Sequence, residues 1–334
     1  MRHGHNPMKR TVLFIVILAF LASCAQQDIR ATPAEGDGAA RLPAEAVAPS
    51  PAGSSATSAN PSAPTAAGDP APTSTPVPAP TATLAPDAWM SMPVIPENVS
   101  RRMREIYQYG QELGNAPEVF TVIGDCGGSP GRFLGDFGMG PNYYSLGEDY
   151  AYLEQVIDHF HDAFGKQHVT VRDGFTVAST LSPLWADPAL CQSDETPLAC
   201  EVRINRPAFA FVILGTNDFN HKEAFEPNLR KVLDYLIAQG VVPILATKAD
   251  NLEGDQAINA AIARLAYEYD IPLWNFWLAV QPLPGHGLLD DEAHLTWAGN
   301  HFDDPVRMRA AWPWRNLTAL QTLDVVWRGV TVQP

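Results

Sequence analysis

Positive charge is scarce. The chain of 334 residues holds 22 Lys and Arg against 37 Asp and Glu, a formal net charge of −15. No basic stripe runs along it, so a nucleic-acid partner is excluded, and a polyanionic substrate is disfavoured. Cysteine is also scarce: there are four, and no Cys or His spacing frames a zinc site. An apolar run long enough to span a membrane is missing, because the stretch 11–22 is too short for an ordinary transmembrane helix. No internal repeat is present.

Proline is abundant, with 30 residues, and much of it falls early. Residues 25–88 are rich in Ala, Pro, Ser and Thr, with Pro61, Pro64, Pro70, Pro72, Pro76, Pro78 and Pro80 close together. Such a segment buries too little apolar surface to offset its ordering entropy, and reads as a disordered, partly polyproline-like tether. Its roughly 60 residues reach about 40 Å as a coil and at most about 190 Å extended. Ahead of it, Lys9 and Arg10 precede the short apolar stretch, which ends in Leu21-Ala22-Ser23-Cys24. Basic flank, apolar core and terminal Cys together resemble a bacterial lipoprotein signal. That resemblance implies a signal peptide over 1–24, acylation of Cys24, and a lipid anchor holding the chain to a membrane at the cell surface or in the periplasm. The other reading is a cleaved secretory signal with an incidental Cys.

The remaining residues, 89–334, suit one α/β domain with long loops. Apolar runs at 119–123, 209–214 and 241–246 predict buried parallel strands, with shorter ones at 168–171 and 271–274. Between them, helical periodicity covers 96–113, 148–164, 221–239 and 255–269, and a last helical region runs over 296–326, broken near Pro313. Alternating strands and helices imply a parallel sheet covered on both faces. Cys191 and Cys200 bracket a polar loop, and an exported chain meets an oxidising compartment, so a disulfide between them is expected; two buried thiols are the alternative. Cys126 is then the odd thiol.

Three polar stretches fall at strand ends or in late loops: Gly124-Asp125-Cys126, Gly215-Thr216-Asn217-Asp218 and Asp291-Glu292-Ala293-His294. In a parallel sheet all three can meet at the carboxyl edge, where open α/β folds put their ligands. In this order, over 117–310, the set resembles the SGNH (GDSL-type) hydrolase superfamily. The resemblance implies a three-layer, flavodoxin-like α/β fold with a five-stranded parallel sheet. It also implies hydrolysis of carboxylic esters, often acyl groups on lipids or carbohydrates, with no metal and no organic cofactor. By the same resemblance Cys126 stands where the family has its nucleophilic Ser. Asn217 stands where it has an oxyanion donor, His294 where it has the general base, and Asp291 where it has the residue orienting that base. Cys126 N–H is a second oxyanion donor, and Gly174, with Ala178 as its rival, the third.

A thiol beside a His can ionise and attack, yet sulfur is larger than oxygen, and misplacement by about 1 Å costs on the order of a hundredfold. Three readings of Cys126 therefore stand. It is a working nucleophile acting on a small-molecule or glycan ester, or part of a silent site that binds a glycan or lipid, or a structural or redox thiol. Asp125 reads first as a turn former and Asp218 as structural. Asp290 is a register rival to Asp291. Asp250, Glu253 and Asp255 read as helix capping and a solvated turn. His286 reads as solvated, and the tryptophans as packing residues, with Trp297 a candidate to line a pocket.

Overall fold

The structure, a computed structural model, describes residues 84–331. The signal, Cys24 and the tether up to residue 83 lie outside the described residues. The elements in chain order are α1 (Arg101–Leu113), β1 (Ala116–Gly124), β2 (Tyr144–Ser145), α2 (Glu154–His159), α3 (Val177–Thr180), α4 (Pro197–Asn205) and β3 (Pro207–Ile213). Then come α5 (Lys222–Ala238), β4 (Val242–Ala246), α6 (Ala257–Tyr269), β5 (Leu273–Trp274), α7 (Phe276–Val280), β6 (Asn300–His301) and α8 (Ala311–Thr331). Among the described residues no helix is long and apolar enough to cross a membrane.

A four-stranded sheet in the order β1-β3-β4-β5 forms the centre, and every pairing in it is parallel. Successive residues of a strand face opposite sides. Phe120, Phe209 and Phe211 share one side, where Tyr107 of α1 stacks on Phe209, Phe160 meets Phe120, and Phe133 from the loop after β1 meets Phe211 and Trp274. Trp274 in turn donates its indole N–H to Thr318 of α8. The intervening residues Thr121, Ala210 and Val212 are also buried, on the side covered by α4, α5 and α6. The architecture is therefore helix layer, parallel sheet, helix layer, which is the expected α/β class. Where α1 passes the turn before β4, two glycines make the approach possible: a Cβ on Gly110 would lie 2.1 Å from the carbonyl oxygen of Gly240.

The sheet departs from expectation in one strand. A fifth strand over 168–171 is not formed; Val171 makes a single bridge to Gly124 instead. Side chains explain this. Thr170 donates its hydroxyl to the Val122 carbonyl (2.6 Å), and His168 Nδ1 lies 2.8 Å from Glu201 Oε1. The segment is stitched to β1 and α4 through these groups rather than through a backbone ladder. Glu201 also accepts from Thr121 Oγ1, Asn205 Nδ2 and the N–H of Val169. The helix expected over 148–164 is divided, with α2 flanked by short 3-10 turns at Ala151–Leu153 and His161–Ala163. The last helical region is corrected too. Between 296 and α8 there is a 3-10 turn, Arg307–Arg309, but no α-helix, and Pro313 lies in the first turn of α8, where the missing N–H costs nothing. The N–H groups of Ala311 and Trp312 donate instead to Thr296, at its hydroxyl (2.9 Å) and its carbonyl (3.1 Å).

Cys191 and Cys200 are joined as a disulfide. In the acidic loop after β4, Asp255 Oδ1 accepts from the N–H of Ala257 (3.2 Å) at the start of α6, as expected of a capping residue, but Asp250 is buried rather than solvated. Lys248 is buried there and donates to both Asp250 Oδ1 and Glu253 Oε2 at 2.6 Å, while Asp255 pairs with Lys222. Each carboxylate of that loop has a cation as partner.

Candidate active site

β1 ends at Gly124, where a Cβ would lie 2.7 Å from Ile213 of the neighbouring strand. The chain then turns sharply. Asp125 Oδ1 accepts from the N–H of Gly127 (2.8 Å), and residues Cys126–Gly128 form one 3-10 turn. The Cys126 carbonyl accepts from the hydroxyl of Ser129 (3.0 Å), and its side chain is half-buried. Asp125 therefore builds the turn that presents the thiol. Burial raises its carboxyl above the usual range, against the pull of the Arg315 guanidinium and the Gly127 N–H.

After β3, Gly215 at φ 132° leads into the turn Thr216–His221. Asn217 Nδ2 donates to the Phe175 carbonyl (3.2 Å) and to Asp125 Oδ2 (3.3 Å). These bonds bring three loops together: the Cys126 turn and the Asn217 turn, each at a strand end, and the Gly174-Phe175 turn. Gly174 is exposed at φ +75°, with open space around the position of a Cβ. Ala178 lies in the short helix α3. Asp218 is buried and accepts from the N–H of Val177 (3.2 Å), which fastens α3 to this edge. Burial drives its carboxyl up to about 6; the Val177 bond opposes this, and the charge of Asp125 adds to it.

The third stretch is a hairpin closed by the Leu288–Leu295 bridge. Asp291 Oδ1 accepts from the N–H groups of Ala293 (3.1 Å) and His294 (2.9 Å), and Oδ2 lies 2.6 Å from His294 Nδ1. The carboxylate folds over its own turn and fixes the ring, so Asp291, not Asp290, is the residue bonded to His294. Nε2 is left as the nitrogen able to take a proton. Partial burial pushes the Asp291 carboxyl up, but the two N–H groups and the imidazole outweigh it and hold the group below the usual range. Both side chains are half-exposed, at 57% for His294 and 51% for Asp291. His286 is exposed, and its ring bonds to the Gln281 carbonyl within its loop (3.0 Å).

Helix α8 ties the hairpin to the Cys126 turn. Trp312 Nε1 donates to the Leu295 carbonyl (3.2 Å), and Arg315, one turn along, donates to the Gly127 carbonyl (2.8 Å). Neither residue was marked by its sequence context as part of the site. Both lie in an apolar-rich helix start that reads as packing. Trp297 is not a core residue; it is 76% exposed. With Trp312 it borders a cavity of about 20 Å³, further lined by Phe133, Asp136, Asn300 and Asn316, room for about one water. Asn300 donates to Asp136 there, and Asn316 to Asn300.

No family model matches the chain, and no curated protein matches it. Among solved structures, twelve chains match. A GDSL-like lipase from Bacteroides thetaiotaomicron is 13% identical with a TM-score of 0.39, the match covering 66% of this chain and 98% of that one. A variant of the esterase AlinE4 is 23% identical with a TM-score of 0.32, covering 53% of this chain and 86% of that one.

Proposed function

We propose that the chain is an extracytoplasmic hydrolase of carboxylic esters, acting through Cys126, His294 and Asp291. The observation that carries the reading is the joint hold of α8 on the hairpin of His294 and on the turn of Cys126, through Trp312 and Arg315. His294 Nε2 takes the thiol proton, and sulfur attacks the ester carbonyl carbon. The carbonyl π pair moves onto oxygen, where the Cys126 N–H and the Asn217 amide serve as donors, with Gly174 as the third. The intermediate collapses, the C–O bond breaks, and His294 returns the proton to the departing alcohol. A water, deprotonated by the same imidazole, then cleaves the thioester and restores the thiol. Asp291 holds the tautomer and stabilises the imidazolium. An acyl or glycan substituent lies against the exposed indole of Trp297. The disulfide fits an oxidising compartment, and Cys24 supplies the membrane anchor at the cell surface or in the periplasm.

One observation favours a second reading, a silent module that binds a glycan or lipid on the same fold. The amide of Asn217 has two hydrogens, and protein oxygens accept from it at both Phe175 and Asp125. An oxyanion must displace one of them. The test is release of nitrophenol from a short-chain nitrophenyl ester by the full chain. Turnover that disappears on thiol alkylation and in Cys126→Ala supports the hydrolase. No turnover in the native chain and none in Cys126→Ser removes it and leaves the module.

A further inference from the structure

The least expected group at this edge is a buried cation. Arg315 is 8% exposed, on the inner side of α8. Its Nη1 donates to the Gly127 carbonyl at 2.8 Å, and its guanidinium carbon lies 4.9 Å from the centre of the Phe133 ring. The fit is close. A Cβ on Gly127 would lie 3.1 Å from Nη1 and 3.0 Å from Asp125 Oδ1, so the cation and the acid both crowd the turn. A buried guanidinium is costly unless anionic groups face it. The acidic groups whose charges act on it are Asp125 and Cys126, on either side of one peptide bond.

We infer that Arg315 is a positioning residue for the reacting thiol: it holds the Cys126 turn by its carbonyl and favours the thiolate by its charge. The inference deepens the hydrolase reading and takes from it the role of Cys126. The electrostatic part rests on placement: the buried guanidinium is bonded to the carbonyl of the residue next to Cys126, where little water screens its charge. Burial lowers Arg315 to about 10, and the charges of Asp125 and Cys126 oppose that fall; attraction between two groups acts equally on both. Asp125 is the first of the two anionic partners of the cation, and burial raises its own carboxyl. The other charges around the pair are Arg132, which acts on Arg315, and Asp173 and Asp250, which act on Asp125. Asp218 is coupled to Asp125, and His221 and Lys248 act on Asp218. The arrangement gives the thiol a cation independent of His294. A cysteine then reacts in a site whose imidazole is half-exposed to water.

The experiment is the pH dependence of Cys126 alkylation by iodoacetamide in the full chain carrying Cys24→Ala, with the disulfide intact. The native midpoint is expected at least one pH unit below the ordinary thiol value of about 8.5. Arg315→Gln should raise it by one unit or more, and Arg315→Lys should recover at least half of that rise. A native midpoint at or above the ordinary value overturns the inference, as does an equal midpoint in Arg315→Gln. Should Arg315→Gln fail to fold, His294→Gln decides: a midpoint that stays low there supports Arg315, and one that returns to the ordinary value overturns it. Alkylation reads the thiol without turnover. A low midpoint in a chain that cleaves no ester, natively or as Cys126→Ser, removes the hydrolase reading and leaves Arg315 its hold on the thiol; an active chain with an ordinary midpoint does the reverse.

Discussion

Trp312 and Arg315 stand one helical turn apart on α8, and each holds a different loop by its backbone carbonyl: Leu295 beside His294, and Gly127 beside Cys126. Residues three apart on a helix share a face. The start of α8 therefore works as a jig for two stretches separated by more than half of the domain. Thr296 completes it by accepting the first N–H groups of the helix. Trp312→Phe keeps most of the packing and removes the indole donor. It should cost about 1 kcal/mol of stability. It should also lower kcat for ester cleavage about tenfold with KM little changed, since a small misplacement of the base acts on the chemical step. Steady-state kinetics beside urea unfolding check this.

Asp291→Asn tests the orienting bond. The amide can still accept from the N–H groups of Ala293 and His294, so the hairpin should survive, but it favours the wrong imidazole tautomer. Ester cleavage should fall on the order of 10²- to 10⁴-fold. Near-native circular dichroism with that loss separates a role in catalysis from a role in folding. The carboxyl lies below its ordinary value in the folded chain, so its contribution is present above the unfolded value of about 3.9 and is lost as pH falls through the folded one.

Part of this edge was legible because it is local. The Asp291–His294 pair is a turn of four residues in which the carboxylate binds its own backbone; the resemblance pointed to it, and the three-residue offset chose Asp291 over Asp290. Buried strands announce themselves as unbroken apolar runs, and β1, β3 and β4 lie where those runs lie. The stretch 168–171 has the same appearance, yet His168 and Thr170 are drawn to Glu201 and to the Val122 carbonyl, and such long-range bonds leave no pattern along the chain. Arg315 was hidden for a similar reason. It lies in an apolar-rich helix start that reads as packing, and only the fold shows that Gly127 and Phe133 sit over it. Pro313 reads as a break, but it is a start, because Thr296 caps the helix from 15 residues away.

Asp218 sets a pH effect of opposite sign. Its carboxyl rises to about 6 in the folded chain. Between the unfolded value of about 3.9 and the folded one, the native state binds more protons than the unfolded state, so stability falls as pH rises through that window. Asp218→Asn keeps an oxygen for the Val177 N–H and removes the buried charge. It should be more stable than the native chain by about 1–3 kcal/mol above pH 7, with the difference gone below pH 4. Urea midpoints at pH 3.5, 5 and 7.5 check the sign.

Glu201 behaves in the other direction, although it is as deeply buried. Burial alone raises its carboxyl, yet the bond and charge of His168, the Thr121 hydroxyl and the Val169 N–H outweigh burial and bring it below the usual range. The sign then reverses. The stabilisation is present above the unfolded value of about 4.3 and is lost as pH falls through the folded one. Glu201→Gln keeps the shape but turns one acceptor into a donor, facing Asn205 Nδ2 or the Val169 N–H, and leaves His168 and Thr121 without a carboxylate. The loss should be about 3–5 kcal/mol at pH 7, as for a buried pair stripped of one partner. It should shrink toward pH 3, where the native carboxylate is itself becoming protonated. Because Thr121 lies on β1, five residues before Cys126, the same substitution should slow ester cleavage while Asp218→Asn leaves the Glu201 cluster untouched. Urea unfolding of both variants across pH separates the two buried acids, one destabilised by its charge and the other dependent on it.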